Sequence, residues 1–131
     1  FQPELQELIR RVERTSAEHT GMTLCVCLDY GGRRELVHAA QQLAAQVQQG
    51  VLRPEEITEQ TISAHLYCPD VPEPDLIIRP SGEYRLSNFL LWQSAYAELV
   101  FMHTLWPDFT PAKLDEAIAE YHARSRRFGG V

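Results

Sequence analysis

Residues 75–101 read DLIIRPSGEYRLSNFLLWQSAYAELVF, and the fold follows from how this run divides. Asp75 leads an apolar stretch that ends in Arg79, and Glu98 leads a second that runs to Met102. Two short apolar runs, each bounded by polar residues, predict strands at 75–79 and 98–102. Between them lies a polar loop with Arg79, Glu83, Arg85 and Ser87, and Ser87 is a side chain able to cap a short helix over 87–95.

Outward from this run the pattern alternates. Residues 22–28, MTLCVCL, form a continuous apolar stretch, which predicts a strand buried on both faces of a parallel sheet. Residues 1–21 predict a helix, with Pro3 in its first turn, Leu5, Leu8, Ile9 and Val12 on one face and Gly21 at its end. A second helix is predicted over 34–49 from Leu36, Val37, Ala40, Leu43, Ala44 and Val47, with Gly50 ending it. Pro54, Glu55 and Glu56 start a shorter helical stretch to about residue 66. Three prolines within 68–74 exclude regular structure there. Thr110 and Pro111 open a last helix that carries Leu114, Ile118 and Tyr121 inward, with Arg124, Arg126 and Arg127 at its C-terminal end and Gly129 to terminate it.

That order predicts an α/β fold, a parallel sheet flanked by helices, with right-handed crossovers. Three strands leave an unpaired hydrophobic edge, so the expected missing strands would precede Phe1. The 131 residues suffice for one domain. The net charge of −6 excludes a chain devoted to coating nucleic acid, so a cluster of arginines would mark a local site. Cys25, Cys27 and Cys68 are an odd count without disulfide spacing, which suits a reducing, cytoplasmic setting and predicts buried core thiols. No apolar run is long enough for a membrane span, which leaves peripheral association with a membrane open.

Ligands of parallel sheets bind outside the carboxyl ends of the strands, where Arg79 is expected. Two guanidiniums about 7 Å apart repel by about 2 kcal/mol at an effective dielectric of 20, so their convergence calls for an anion. Arginine forks match phosphate oxygens, and Ser87 at a helix N-terminus would add a hydroxyl. The same spacing equally allows Arg79 and Arg85 to pair with Glu83 or Asp75 and stitch the loop. Glu98 alone would be a solvated carboxylate, or one ligand of a magnesium ion that also binds phosphate oxygens. Gly31-Gly32 fits a tight strand-to-helix turn better than a nucleotide cradle, since no P-loop lysine follows. Trp92, Trp106 and Phe109 suit packing in the core or between subunits.

The motifs Arg79-Pro80-Ser81-Gly82-Glu83, Arg85-Leu86-Ser87-Asn88-Phe89, Leu91-Trp92-Gln93 and Tyr96-Ala97-Glu98 resemble the C-terminal signature of cis-prenyltransferases, the undecaprenyl diphosphate synthase or isoprenyl transferase family. Leu105-Trp106-Pro107-Asp108-Phe109 continues the likeness, Tyr30-Gly31-Gly32-Arg33 matches an earlier motif, and Arg127-Phe128-Gly129 is similar to the C-terminal R-x-G. The resemblance spans nearly the whole chain and implies the C-terminal part of a single cis-prenyltransferase domain. It implies that Arg79, Arg85 and Ser87 bind the diphosphate of isopentenyl diphosphate, with Leu86 contributing through its backbone. It further implies that Glu98 helps hold Mg2+, and that Arg127 and Gly129 reach the partner's site in a homodimer. The implied reaction condenses isopentenyl diphosphate with an allylic diphosphate such as farnesyl diphosphate to extend a cis-polyprenyl chain. Nothing here resembles the family's N-terminal half, where the loop for the allylic diphosphate and the essential aspartate are expected, so no catalytic residue is assigned in this chain. The alternative is a non-catalytic binding or scaffold subunit of a two-component enzyme. Three positions depart from the family pattern: Pro80 stands where threonine is usual, Asp29 replaces an asparagine and would either pair with Arg33 or add negative charge near phosphate, and Tyr84 occupies a variable position with no assigned role.

Overall fold

The computed structural model describes residues 1–124 and has an α/β architecture. In chain order it comprises helix α1 (Pro3–Ser16), helix α2 (Gly32–Gln48), a 3-10 turn (Pro54–Glu56), helix α3 (Glu59–Ser63), strand β1 (Leu76–Arg79), strand β2 (Glu98–Phe101), a second 3-10 turn (Trp106–Asp108) and helix α4 (Pro111–Ala123). The strands are parallel and in register from Leu76 opposite Glu98 to Arg79 opposite Phe101. Two flanking bonds extend the ladder, from Glu98 N–H to Asp75 C=O at 2.9 Å and from Met102 N–H to Arg79 C=O at 2.9 Å. Arg79 therefore stands at the carboxyl end of the sheet, as expected.

The core is small and centred on Val100, which is 1% exposed. α2 buries Glu35, Ala39 and Leu43, spaced four apart and so aligned on one face. α4 packs against β2 and buries Ala117, whereas Leu114 and Ile118 stay exposed. The inward face of α4 is thus narrower than the apolar spacing predicts. A small residue at the contact lets the helix backbone approach the strand.

Other expectations are corrected. Residues 22–28 form no strand and pair with none among the described residues, and Met22, Leu24 and Val26 are 94%, 79% and 66% exposed. A strand apolar on both faces requires partners on its edges and layers on its faces, and the described residues supply neither. The three cysteines are exposed for related reasons: two lie on this stretch and Cys68 in the proline-rich loop. α1 buries none of its residues and ends at Ser16, five residues before Gly21. In its last turn Thr15 and Ser16 bond back to the carbonyls of Arg11 and Val12, a local competition that favours helix ends. The helical stretch expected over 54–66 breaks at Thr58, whose reciprocal bonds with Thr61 start α3 afresh. No helix forms over 87–95. Ser87, Asn88 and Leu90 have φ of 50°, 64° and 44°, which a right-handed helix excludes, and residues 87–96 form successive turns.

Among the described residues no helix is long and apolar enough to cross a membrane.

Candidate anion-binding site

The loop that leaves β1 is strapped along the segment that follows β2. Ser81 N–H donates to Thr104 C=O at 2.8 Å and Gly82 N–H to Met102 C=O at 2.7 Å. Gly82 has φ +70°, and a Cβ there would meet the His103 ring at 2.9 Å, so this turn requires glycine on both counts. The turn folds the chain back so that Glu83 lies between the two arginines. Its Oε2 takes Arg79 Nη2 at 2.5 Å and its Oε1 takes Arg85 Nη2 at 2.5 Å.

Of the two readings of the spacing, the structure shows the pairing of both arginines with Glu83. The guanidiniums do converge, and the anion they converge on is the chain's own carboxylate. The hydrogen bond from Arg79, aided by both positive charges, holds the Glu83 carboxyl below its ordinary value against a partly opposing desolvation. Two cations and one anion leave this cluster one net positive charge. Arg79 Nε is buried without a hydrogen-bond partner among the described residues, a donor whose desolvation is uncompensated. Such a cluster can take an additional anion at its rim.

Arg85 and Ser87 are exposed and Leu86 is half-buried. The Leu86 carbonyl accepts Phe89 N–H at 3.0 Å within the loop. Ser87 caps no helix, so no helix N-terminus of its own supports its hydroxyl.

The loop is instead fastened to α2, by residues that the spacing did not single out. Gly31 is the N-cap of α2 and supplies no side-chain oxygen. Asn88 supplies the cap from 55 residues away: its Oδ1 accepts Arg33 N–H at 2.9 Å, and its carbonyl accepts Gly32 N–H at 2.8 Å. The glycine pair permits this approach. A Cβ on Gly31 would lie 2.8 Å from Asn88 Nδ2, and one on Gly32 would lie 2.9 Å from Leu91 Cγ and 3.1 Å from Leu91 N. The glycines were expected for a tight turn; neither has positive φ, and what they permit is this close approach.

A second fastening is buried. Glu35, 2% exposed, accepts from the Tyr30 hydroxyl at 2.5 Å, Gln93 Nε2 at 3.1 Å and Tyr67 N–H at 3.0 Å. Burial, then the bond to Glu35 and its charge, push the Tyr30 hydroxyl well above its ordinary value, so it stays a donor. Tyr30 also meets Phe89 edge-on, with ring centroids 5.7 Å apart. Asp29 pairs with Arg34 at 3.7 Å, in place of the expected Arg33, and both side chains are exposed.

Glu98 is not brought to the arginine pair. It begins β2, opposite Leu76, three residues up the ladder from Phe101 and Arg79, or about 10 Å at the usual strand rise. Its carboxylate accepts from Arg124 Nη1 at 3.2 Å, while Arg124 also donates to Leu99 C=O at 2.8 Å and to Glu120. Among the described residues no group of three or more His, Cys, Asp or Glu side chains is placed to hold a metal ion. A carboxylate already held by a guanidinium does not by itself fit magnesium, which needs several oxygen ligands. Arg127 and Gly129 lie outside the described residues.

Against this geometry the comparisons with known proteins are consistent with one another. The family model for undecaprenyl diphosphate synthase matches residues 1–129. Isoprenyl transferase 2 of Corynebacterium efficiens is 52% identical over 121 residues, which cover 92% of this chain and 50% of the relative. A (2E,6E)-farnesyl-diphosphate-specific ditrans,polycis-undecaprenyl-diphosphate synthase of Pectobacterium atrosepticum is 47% identical over 131 residues, all of this chain and 52% of the relative. The crystal structure of lavandulyl diphosphate synthase from Lavandula x intermedia, in complex with dimethylallyl diphosphate, superposes with a TM-score of 0.93 at 45% identity, over 97% of this chain and 55% of that one. The chain spans about half the length of the curated relatives it matches.

Proposed function

Because the chain belongs to the undecaprenyl diphosphate synthase family of prenyltransferases, we propose that its arginine loop binds the diphosphate of isopentenyl diphosphate during cis-prenyl chain elongation. The observation that carries this reading is the convergence of Arg79 and Arg85 on one carboxylate, with a buried Arg79 Nε–H left unpartnered. Glu83 keeps the two forks aligned, and the diphosphate adds to or displaces it at the rim. A diphosphate carries more charge than a carboxylate, and each charge-assisted bond contributes about 1.5–3 kcal/mol. The exposed Ser87 hydroxyl donates a further bond from the same loop.

Holding the diphosphate fixes the isopentenyl double bond for attack on the allylic carbon, which loses its own diphosphate; the chain's share in this step is positioning and charge. The second substrate is an allylic diphosphate. Farnesyl diphosphate is named for the Pectobacterium relative and dimethylallyl diphosphate for the lavender structure, so either end of that size range is a reasonable primer. We assign the loop for that substrate, and the essential aspartate, to the half of the domain not matched here. The carboxylate we assign to magnesium is Glu98, and reaching it requires release of Arg124 and donors beyond the described residues. The homodimer, with Arg127 and Gly129 reaching the partner's site, and a cytoplasmic location are parts of the same proposal. A scaffold subunit without substrate binding is disfavoured because Arg79, Arg85 and Ser87 are all retained.

In the full-length enzyme, Arg85→Ala raises KM for isopentenyl diphosphate far more than KM for the allylic substrate. An equal rise in both would remove the assignment. The 131-residue chain alone, incubated with magnesium, farnesyl diphosphate and labelled isopentenyl diphosphate, gives no long-chain product; appreciable product would show that the second substrate's site also lies within it.

A further inference from the structure

We propose that Asn88 is a positioning residue, which makes diphosphate affinity at the Arg79–Arg85 pair depend on the first turn of α2. The inference rests on the reading of that pair as a diphosphate site. Arg85, Leu86 and Ser87 lie in a segment without helix or strand, and an irregular segment holds a charge geometry only if something outside it fixes the backbone. Asn88 provides this one residue after Ser87. It sits at φ +64°, a conformation that asparagine tolerates better than most side chains, and its carbonyl and Oδ1 occupy two of the four free N–H groups of α2. Leu91 packs against Gly32 on the same side, and Gln93 reaches the buried Glu35 one turn further along α2. The loop is therefore pinned at three successive points to one rigid helix.

The Asn88 side chain is bonded to α2 and not to the Arg79, Arg85 or Ser87 side chains, so its effect on binding is indirect. Each bond from its acceptors to a helix N–H also satisfies an otherwise orphaned donor, which makes the pinned position of the loop the favoured one.

The test is calorimetric titration of isopentenyl diphosphate into the full-length enzyme and its variants, alongside thermal melting, at a temperature where every variant is folded. Asn88→Ala weakens binding about tenfold, the scale of one charge-assisted hydrogen bond put out of place. Gly31→Ala does the same from the other side of the contact. Its backbone is extended, with φ −155°, and accepts alanine, but the new Cβ displaces the Asn88 amide. The two changes are not additive, because without the Asn88 amide the alanine at 31 meets nothing. Gly31→Ala keeps the test informative should Asn88→Ala fail to fold. Unchanged affinity in both variants, beside a clear loss in Arg85→Ala, would overturn this inference and leave the diphosphate site standing; a lowered melting midpoint with unchanged affinity counts the same way. Unchanged affinity in Arg85→Ala would overturn the site itself, and this inference with it.

Discussion

Glu35 is a core carboxylate held by neutral donors, and its removal strands three of them. Glu35→Ala is expected to lower stability by about 3 kcal/mol, since the Tyr30 hydroxyl, the Gln93 amide and the Tyr67 N–H all lose a buried acceptor. Glu35→Gln retains part of the network and costs less. Urea denaturation read by fluorescence distinguishes the two, and equal costs would show that volume rather than hydrogen bonding matters there. Glu83 makes a different kind of contribution, dependent on pH. Its folded-state carboxyl lies below the ordinary 4.5, so the stability it adds is present above that value and is lost as pH falls through the depressed folded value. Glu83→Gln should therefore melt below the native chain at neutral pH, with the gap closing as pH drops below 4.5. A gap independent of pH would mean that the ion pairs add nothing, as exposed pairs sometimes do. The sequence placed Arg79, Glu83 and Arg85 close enough to pair but left open whether they serve the loop or a ligand. Geometry shows the first, because one carboxylate bridges both forks; the ligand role is our proposal. Asn88 and Glu35 were not legible, since a polar residue 55 or 58 positions from its partner carries no local pattern.

At the scale of elements, periodicity and caps were read well where an element stands on local interactions and poorly where it does not. α2 lies within two residues of its expected bounds and α4 starts where expected, because the apolar spacing and the Thr110-Pro111 start are local signals. α4 ends at Ala123, short of the expected Arg126 and Arg127, and the expected stop at Gly129 lies outside the described residues. The helix expected at Ser87 failed because its cap residue was judged alone. Ser87 and Asn88 both adopt positive φ, and the loop spends its capping capacity on another helix. A measurable consequence separates these roles. Ser87→Ala should change stability by no more than about 0.5 kcal/mol, as for an exposed side chain without a structural partner. Thr58→Ala, which removes a formed reciprocal cap, should cost about 1 kcal/mol. Chemical denaturation of the two variants is sufficient. If Ser87→Ala cost as much as Thr58→Ala, the serine would be bearing structure rather than facing a ligand.

For the molecule as a whole, the unbalanced feature is the apolar surface of residues 22–28 and α1. Met22, Leu24, Val26 and Leu28 are all exposed, as are Leu5, Leu8 and Val12 on the apolar face of α1. Burying a side chain of this size stabilises by about 1.5–3 kcal/mol, so leaving the whole stretch bare forfeits several times that amount. The two-stranded ladder of β1 and β2 likewise falls short of the three or more strands that independent sheet stability usually requires. The continuous apolar run at 22–28 predicted a buried strand, and none forms there: among the described residues nothing pairs with or covers the segment. In the relatives about half the length lies outside the matched part, and we propose that this half supplies a partner for residues 22–28. Val26→Asp discriminates this account from a segment that merely lies exposed. On the isolated chain the substitution should change stability by less than about 0.5 kcal/mol, because the side chain is already in water. Mixed with a polypeptide carrying the first half of the Corynebacterium relative, the native chain should gain amide protection over 22–28 and acquire prenyl-transfer activity, and the Val26→Asp chain should gain neither. Protection of 22–28 in the isolated native chain would refute the account, as would activity of the Val26→Asp mixture, because either result means the segment needs no partner from the other half.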